Sequence, residues 1–406
     1  MTTLRFSGRV WALAALAALA VSACDAPTTP VSDEDVLQEA IPAPVVAART
    51  GGPEGEAFFR VYTQNVFLGG DTGPLFTIDF SQLPANIGEI VAAVGTFWGA
   101  VQANDVAARA AAVVDEIEAL DPHVVGLQEV ASYAVVDLTT SPPSILDGRD
   151  YLAVLLGQIA ARGLDYRLVG PQINTNSQLP IALGPSGVTQ VLAFTSGEAV
   201  LVRGDLPLVD VELGSYADLV DLGPVQIGRG YSRVETVFND TPYHVITTHL
   251  ETQGIRPVHD AQALELFARF GDLPGVTVVM GDLNSDAEGV EGDPSWTPTY
   301  GFLTANGFVD LWEEKTGRDE IGYTCCWEPD LMTGALDERI DFVLVKPPSG
   351  VRSNGNGALP GAVHMDIIGE EMGDVVYPPG VYPADHAGLF AGFNVPRGLL
   401  TRRGGR

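Results

Sequence analysis

The stretch at residues 276–285, VTVVMGDLNS, constrains this chain more than any other. An apolar run ends in a carboxylate, Asp282, and an amide, Asn284, two positions apart. Side chains alternate along an extended backbone, so these two lie on one side of it. One can hold a water or a metal while the other donates a hydrogen bond to a phosphate oxygen. The same construction recurs. QNV at Asn65, LQEV at Glu129, THL at His249, RIDF at Asp341 and ADH at Asp385 and His386 each stand at the edge of an apolar strand candidate.

The elements between these motifs alternate in period. Residues 58–67 predict a strand ending near Asn65. Residues 69–103 begin with Gly and Pro punctuation, then predict a short helix over 87–97. Asp105 is placed to cap a helix whose stripe is Val106, Ala110, Val113, Val114, Ile117 and Leu120, with Pro122 closing it. HVVGLQEV predicts a strand ending in Glu129, and residues 151–163 a helix with a glycine stop. A strand is expected in YRLVGPQI. Residues 191–204 predict two strands about a turn at Ser196-Gly197, and residues 230–251 a hairpin about Asn239-Asp240. Further helices are expected at 260–270 and 302–312, with strands at 276–280, 339–345 and 387–393. Hairpins interleaved with helices predict an α/β fold of two packed sheets, with helices covering the outer faces.

The two ends of the chain read differently. Arg5 and Arg9 precede an apolar run over residues 10–21, then Val21-Ser22-Ala23-Cys24. This is a secretory signal by pattern. Its last four residues resemble a bacterial lipoprotein cleavage box, which implies cleavage before Cys24 and its lipidation. Residues 1–23 are therefore expected to be a signal peptide, and 24–56, rich in Pro with Gly51-Gly52, a disordered tether. Residues 57–395 are long enough to bury a large core as one domain, and 396–406 form a basic tail. Beyond Cys24 the cysteines are Cys325 and Cys326, which favours a vicinal disulfide in a secreted chain. The net charge is −30, with lysine only at 315 and 346. That argues against a broad basic footprint for duplex DNA.

Taken in order, the motifs resemble the endonuclease/exonuclease/phosphatase superfamily, which includes deoxyribonuclease I-like enzymes, abasic-site endonucleases, inositol polyphosphate phosphatases and neutral sphingomyelinases. The resemblance spans nearly the whole of 57–395. It implies a four-layer α/β sandwich with two central, mostly antiparallel sheets flanked by helices, and metal-dependent phosphoester hydrolysis. It places Asn65, Glu129 and Asp385 at the metal, expected to be Mg²⁺ with Mn²⁺ or Ca²⁺ as alternatives. It places His249, as an imidazolium, and His386 against the phosphate, with Asp341 fixing the tautomer of His386. Asp337 is the rival to Asp341 if the register shifts, and Arg339 is expected in structural ion pairs. The resemblance implies that Asp282 orients or activates the attacking water, or stabilises the leaving oxygen through metal-bound water, and that Asn284 donates to a nonbridging oxygen. The family usually has Ser-Asp-His at the last motif, where this chain has Ala384.

Glu251 shares a strand side with His249. Arg229, Tyr231 and Arg233 either reach the phosphate or form a solvated hairpin. Phe76, Phe80, Phe97 and Trp98 suggest a substrate lip, with Trp296, Trp312 and Trp327 as other candidates. The leading expectation is a monomeric hydrolase of a small-molecule or lipid phosphoester. It would sit in the bacterial cell envelope, anchored through Cys24 and facing outside the cytoplasm, or be secreted. An extracellular endonuclease cleaving DNA or RNA is the second reading; nucleic acid is allowed as a partner but not favoured. A non-catalytic binding lipoprotein is the third.

Overall fold

The computed structural model describes residues 58–223, 225–294, 296–317, 319–348, 363–370 and 381–395. The signal segment, Cys24, the tether and the basic tail lie outside the described residues. Seventeen strands follow in chain order: β1 (Phe59–Asn65), β2 (Val124–Asp137), β3 (Ser144–Asp150), β4 (Tyr166–Gly184), β5 (Gly187–Arg203), β6 (Leu208–Ser215), β7 (Val220–Asp221), β8 (Gln226–Ile227), β9 (Gly230–Phe238), β10 (Thr241–His249), β11 (Val276–Asp282), β12 (Val309–Asp310), β13 (Cys325–Trp327), β14 (Gly334–Glu338), β15 (Asp341–Lys346), β16 (Val363–Ile368) and β17 (Gly388–Phe393). The helices are α1 (Gly73–Phe76), α2 (Ile87–Ala103), α3 (Val106–Leu120), α4 (Tyr151–Ala161), α5 (Arg256–Phe270), α6 (Thr299–Ala305) and α7 (Leu311–Thr316).

Two sheets form the centre. One runs β16-β17-β1-β2-β5-β4, with β3 also on β2; the other runs β12-β15-β11-β10-β9-β6. Each contains one parallel pair, β1 with β2 and β10 with β11, among antiparallel neighbours. Alternation explains the layers. Val61, Val278 and Met280 point between the sheets with Val124, Val202, Val245 and Val343. Tyr62, Val125 and Leu127 point outward and pack under α3 and α4. Ile246, Val279 and Leu344 point outward from the second sheet and pack under α5 and α6. The result is the expected four-layer α/β sandwich.

The parallel pairs position the polar strand ends. A parallel pair ends its two strands at the same edge, and its antiparallel neighbour starts there. Asn65 is in register with Gln128, His249 with Asp282, and Asp282 with Asp341. His386 precedes β17, the antiparallel neighbour of β1. A row of polar residues across both sheets therefore shares one edge.

Some elements differ from the sequence expectation. The helix expected over 87–97 runs on to Ala103, and the one expected from 260 starts at Arg256. β2 does not end at Glu129. The backbone there turns to φ 57° and the register slips between Leu127 and Val130, so a bulge re-aims Glu129 while the strand continues. The expected helix over 302–312 is broken by Gly307 at φ 93°, giving α6, the short β12 and α7. The hairpin about Asn239-Asp240 is present, with both residues at positive φ as a tight two-residue turn needs.

Ser196-Gly197 is not a turn. β5 runs straight through it, and its connection to β4 lies at Gly184 and Gly187. Gly197 is required by close approach instead, since a Cβ there would lie 1.7 Å from the carbonyl oxygen of Gln172 on β4. Gly197→Ala is expected to lower stability by about 3 kcal/mol in urea denaturation, because backbone rather than a flexible side chain must move.

Candidate active site

Asp282 stands at the centre of the edge. Its Oδ1 accepts from the Asn284 amide N–H at 2.9 Å, which is possible because Asn284 takes φ 47° and turns the chain back over the carboxylate. Its Oδ2 accepts from Asn65 Nδ2 at 3.1 Å and lies 3.3 Å from His249 Nε2 and 3.9 Å from His386 Nε2. Burial and the neighbouring Asp341 push the Asp282 carboxyl up to about 7.

The two histidines differ in charge. His386 Nδ1 donates to Asp341 Oδ2 at 2.8 Å. Burial alone would lower its pKa, but Asp341, Asp282 and Asp385 together hold it well above the usual histidine value. Its Nε2 then carries a proton toward the cleft. His249 goes the other way. Burial, Arg229 and His386 hold it well below the usual value, so it is neutral at pH 7 and not the expected imidazolium. An Arg229 guanidinium N–H lies 3.0 Å from His249 Nδ1 and can only donate. We therefore assign the proton to His249 Nε2, facing Asp282 Oδ2. Asn284 Nδ2, 3.0 Å from that nitrogen, has the Leu250 carbonyl as its acceptor at 2.9 Å.

Arg229 is the one member of its trio at this edge. Glu251 holds it at 3.2 Å, and the backbone N–H of Glu251 is in turn bound by Gln262. Tyr231 packs in the outer core, and Arg233 pairs with Asp210 and Glu212 on β6. Asp337 is exposed and takes no part. Arg339 is buried and paired with Asp310, Glu288 and Glu313, the structural role expected of it.

Donor sets for a divalent cation are present. Asp282, Asp341 and His386 each bring a ligand atom within 4.8 Å of the others, as do Cys325, Cys326 and His386. Neither is the set expected from sequence, which was Asn65, Glu129 and Asp385. In the first cluster Asp341 and His386 already bind each other. In the second the sulfurs are joined as a vicinal disulfide, which removes the thiolates that a metal prefers. Of the expected acids, Asp385 has an enclosed Oδ1 with no hydrogen-bond partner among the described residues, as has Asp341 Oδ1 in the first cluster. Burial, and then Glu129, push the Asp385 carboxyl up to about 7, against the pull of His386 and Arg109. Among the described residues, Glu129 keeps only the Leu68 amide as a hydrogen-bond donor, at 2.9 Å on one oxygen. Carboxylates that repel each other in a buried cleft, one with an orphan oxygen, fit a hard cation.

Two features at this edge were not found from sequence. The disulfide sulfurs lie 3.5 and 3.7 Å from His386 Nε2, and nothing in the spacing of 325 and 386 signals that. Arg109 is fully buried and donates to the carbonyls of Pro383, Val66 and Phe67 and to Asn104 Oδ1. It ties the segment after Asn65 to the segment before Asp385. Its signal was a lone arginine beside the apolar stripe of α3.

The endonuclease/exonuclease/phosphatase family model matches residues 85–386. The chain belongs to that family. Comparison with curated protein sequences finds no match. Among solved structures, the chain is similar to TDP2 from D. rerio complexed with single-strand DNA product, at 15% identity, 84% of this chain and 100% of that one, TM-score 0.49. It is also similar to an endonuclease/exonuclease/phosphatase from Beutenbergia cavernae DSM 12333, at 18% identity, 83% and 72% coverage, TM-score 0.48. A third is a family protein from Leptotrichia buccalis C-1013-b, at 13% identity, 83% and 99% coverage, TM-score 0.46.

The partner expectation is corrected. Nucleic acid does not belong behind other partners, since the family to which the chain belongs is one of endonucleases and exonucleases as well as phosphatases. Net charge is a property of the whole surface and does not decide what one cleft with a cation takes. The expected membrane anchor at Cys24 lies outside the described residues, and the comparisons give it no support.

Arg109→Met is expected to cost about 3 kcal/mol in urea denaturation, because three buried carbonyls lose their donor.

Proposed function

We propose that this metal-dependent phosphoester hydrolase of the endonuclease/exonuclease/phosphatase family is a phosphodiesterase using Mg²⁺ and direct attack by water. The observation that carries the reading is the central position of Asp282. Its carboxylate faces Asn65, His249 and His386 at once, and its pKa near 7 suits a group that takes a proton at neutral pH.

The residues divide the work. Glu129 and Asp385, with Asn65 beside them, would hold the cation. When bound, that cation polarises the phosphate and stabilises the departing oxygen. Asp282 orients the water and accepts its proton as the water oxygen forms the new P–O bond and the ester P–O bond breaks. His386, charged and fixed by Asp341, presents its Nε2 proton to the phosphoryl oxygens or the leaving oxygen. His249 is a neutral donor locked by Arg229, and Asn284 fixes the turn that holds Asp282. The groups are pre-set on strand ends, so little reorganisation is needed when charge develops.

DNA and RNA strands are the first substrates to offer, because nuclease activity is in the name of the family. Small-molecule and lipid phosphodiesters form the second reading, favoured by a cleft wall that is largely apolar.

The test is hydrolysis by the full chain of a single-stranded oligonucleotide, plasmid DNA, bis-p-nitrophenyl phosphate, p-nitrophenyl phosphate and sphingomyelin, with Mg²⁺ or EDTA. Mg²⁺-dependent diester turnover is expected. Asp341→Asn should lower it about 10²-fold by releasing the His386 ring. Hydrolysis of the monoester alone, or turnover unchanged in EDTA, would overturn the proposal.

A further inference from the structure

The catalytic edge is only the floor of a larger chamber. One continuous cavity of about 820 Å³ is lined at its base by Glu129, His249, Asp282, Asn284 and His386. Its upper wall is built by elements outside the two-sheet core. α2 packs with Ile90, Val94 and Phe97 against Tyr133, Leu179 and Leu192, on the long extensions of β2, β4 and β5. The residues between α1 and α2, and the segment around Val225, complete the wall.

Among the described residues, this wall carries no charge. Phe76, Phe80, Phe97, Phe194, Leu179 and Val225 line it, and its polar groups are the hydroxyls of Thr72, Thr175, Ser177 and Ser196. The charged lining residues belong to the floor and its rim, as with Arg229 and Glu338. Phe76 is 44% exposed although it is a large apolar residue beside the site. Phe76, Phe80 and Phe97 are thus in the lip expected from sequence. Trp98 packs elsewhere, against Tyr133 and Arg149. Trp312 lies in the core, Trp327 stacks on Tyr382, and Trp296 pairs with Arg256.

We propose that this chamber is a binding subsite for an uncharged hydrocarbon chain esterified to the phosphate held on the floor. The inference rests on the phosphodiesterase reading for the position of that phosphate. The argument is continuity and chemistry. The wall opens directly onto the catalytic groups, so whatever fills it is attached to the scissile phosphate or next to it. An apolar wall rewards hydrocarbon by the area it removes from water. Its described residues offer no charged group to pair with a second phosphate or an ammonium, and burying either unpaired is costly. Because the wall belongs to α1, α2 and the strand extensions, it can set substrate preference without altering the floor.

The experiment uses the full chain and p-nitrophenyl alkyl phosphodiesters with methyl, butyl and octyl groups, in Mg²⁺. kcat/KM is expected to rise about 100-fold or more from methyl to octyl, below the roughly fourfold per methylene that complete burial gives. Phe76→Asp and Val225→Asp are expected to cut the octyl advantage about tenfold while leaving methyl ester turnover unchanged. Both positions are at least partly exposed, so folding is retained, which circular dichroism checks. Calorimetric binding of octyl against methyl phosphate reads the chamber without turnover, with the same preference expected. A flat alkyl series, or a gradient unchanged in both variants, overturns the subsite. If no ester is hydrolysed but octyl phosphate still binds better and the variants abolish that, the subsite stands and the phosphodiesterase reading fails.

Discussion

The constraint on which the rest of this molecule depends is a concentration of acid at one sheet edge. Glu129, Asp282, Asp341 and Asp385 converge where water is largely excluded, and carboxylates there repel each other and lose solvation together. The fold offsets part of that cost with cations of its own. His386 is held charged between three of the acids, Arg229 is tied to Glu251 behind His249, and Arg109 clamps the backbone on either side. The compensation is incomplete, as the raised carboxyls of Asp282 and Asp385 and the orphan oxygen of Asp385 record. What is left over is the electrostatic demand for a divalent cation.

Topology explains why the acids meet. Each sheet has one parallel pair with an antiparallel neighbour, so in each the ends of two strands and the start of a third share one edge. When the two sheets pack through Val61, Val278 and Val343, those edges are brought side by side. The core thus fixes the relative positions of groups far apart in sequence. α1 and α2 lie outside this frame and sit above it, where they shape the space over the floor.

Much of this was legible in the sequence because strand ends are local. An apolar run followed by Asp, Asn, Glu or His marks its own edge, and the strand period says which side chains share a face. The Asn239-Asp240 turn was legible for the same reason. What was not legible depended on contacts. Gly197 looks the same whether it makes a turn or admits a neighbouring carbonyl, and only the strand beside it decides. The bulge at Glu129 depends on β5. The charge states of His249 and His386 depend on which partner each meets, Arg229 or Asp341, and two identical side chains end with opposite shifts. The approach of Cys325 and Cys326 to His386 spans the gap between separate segments and leaves no local trace.

The most direct measurement is calorimetric titration of Mg²⁺ into the full chain and into Glu129→Gln. The account predicts saturable binding to the native chain and weakening of about tenfold or more in the variant, since the variant removes one of two carboxylates set against each other. No binding to the native chain, or equal affinity in the variant, would contradict it.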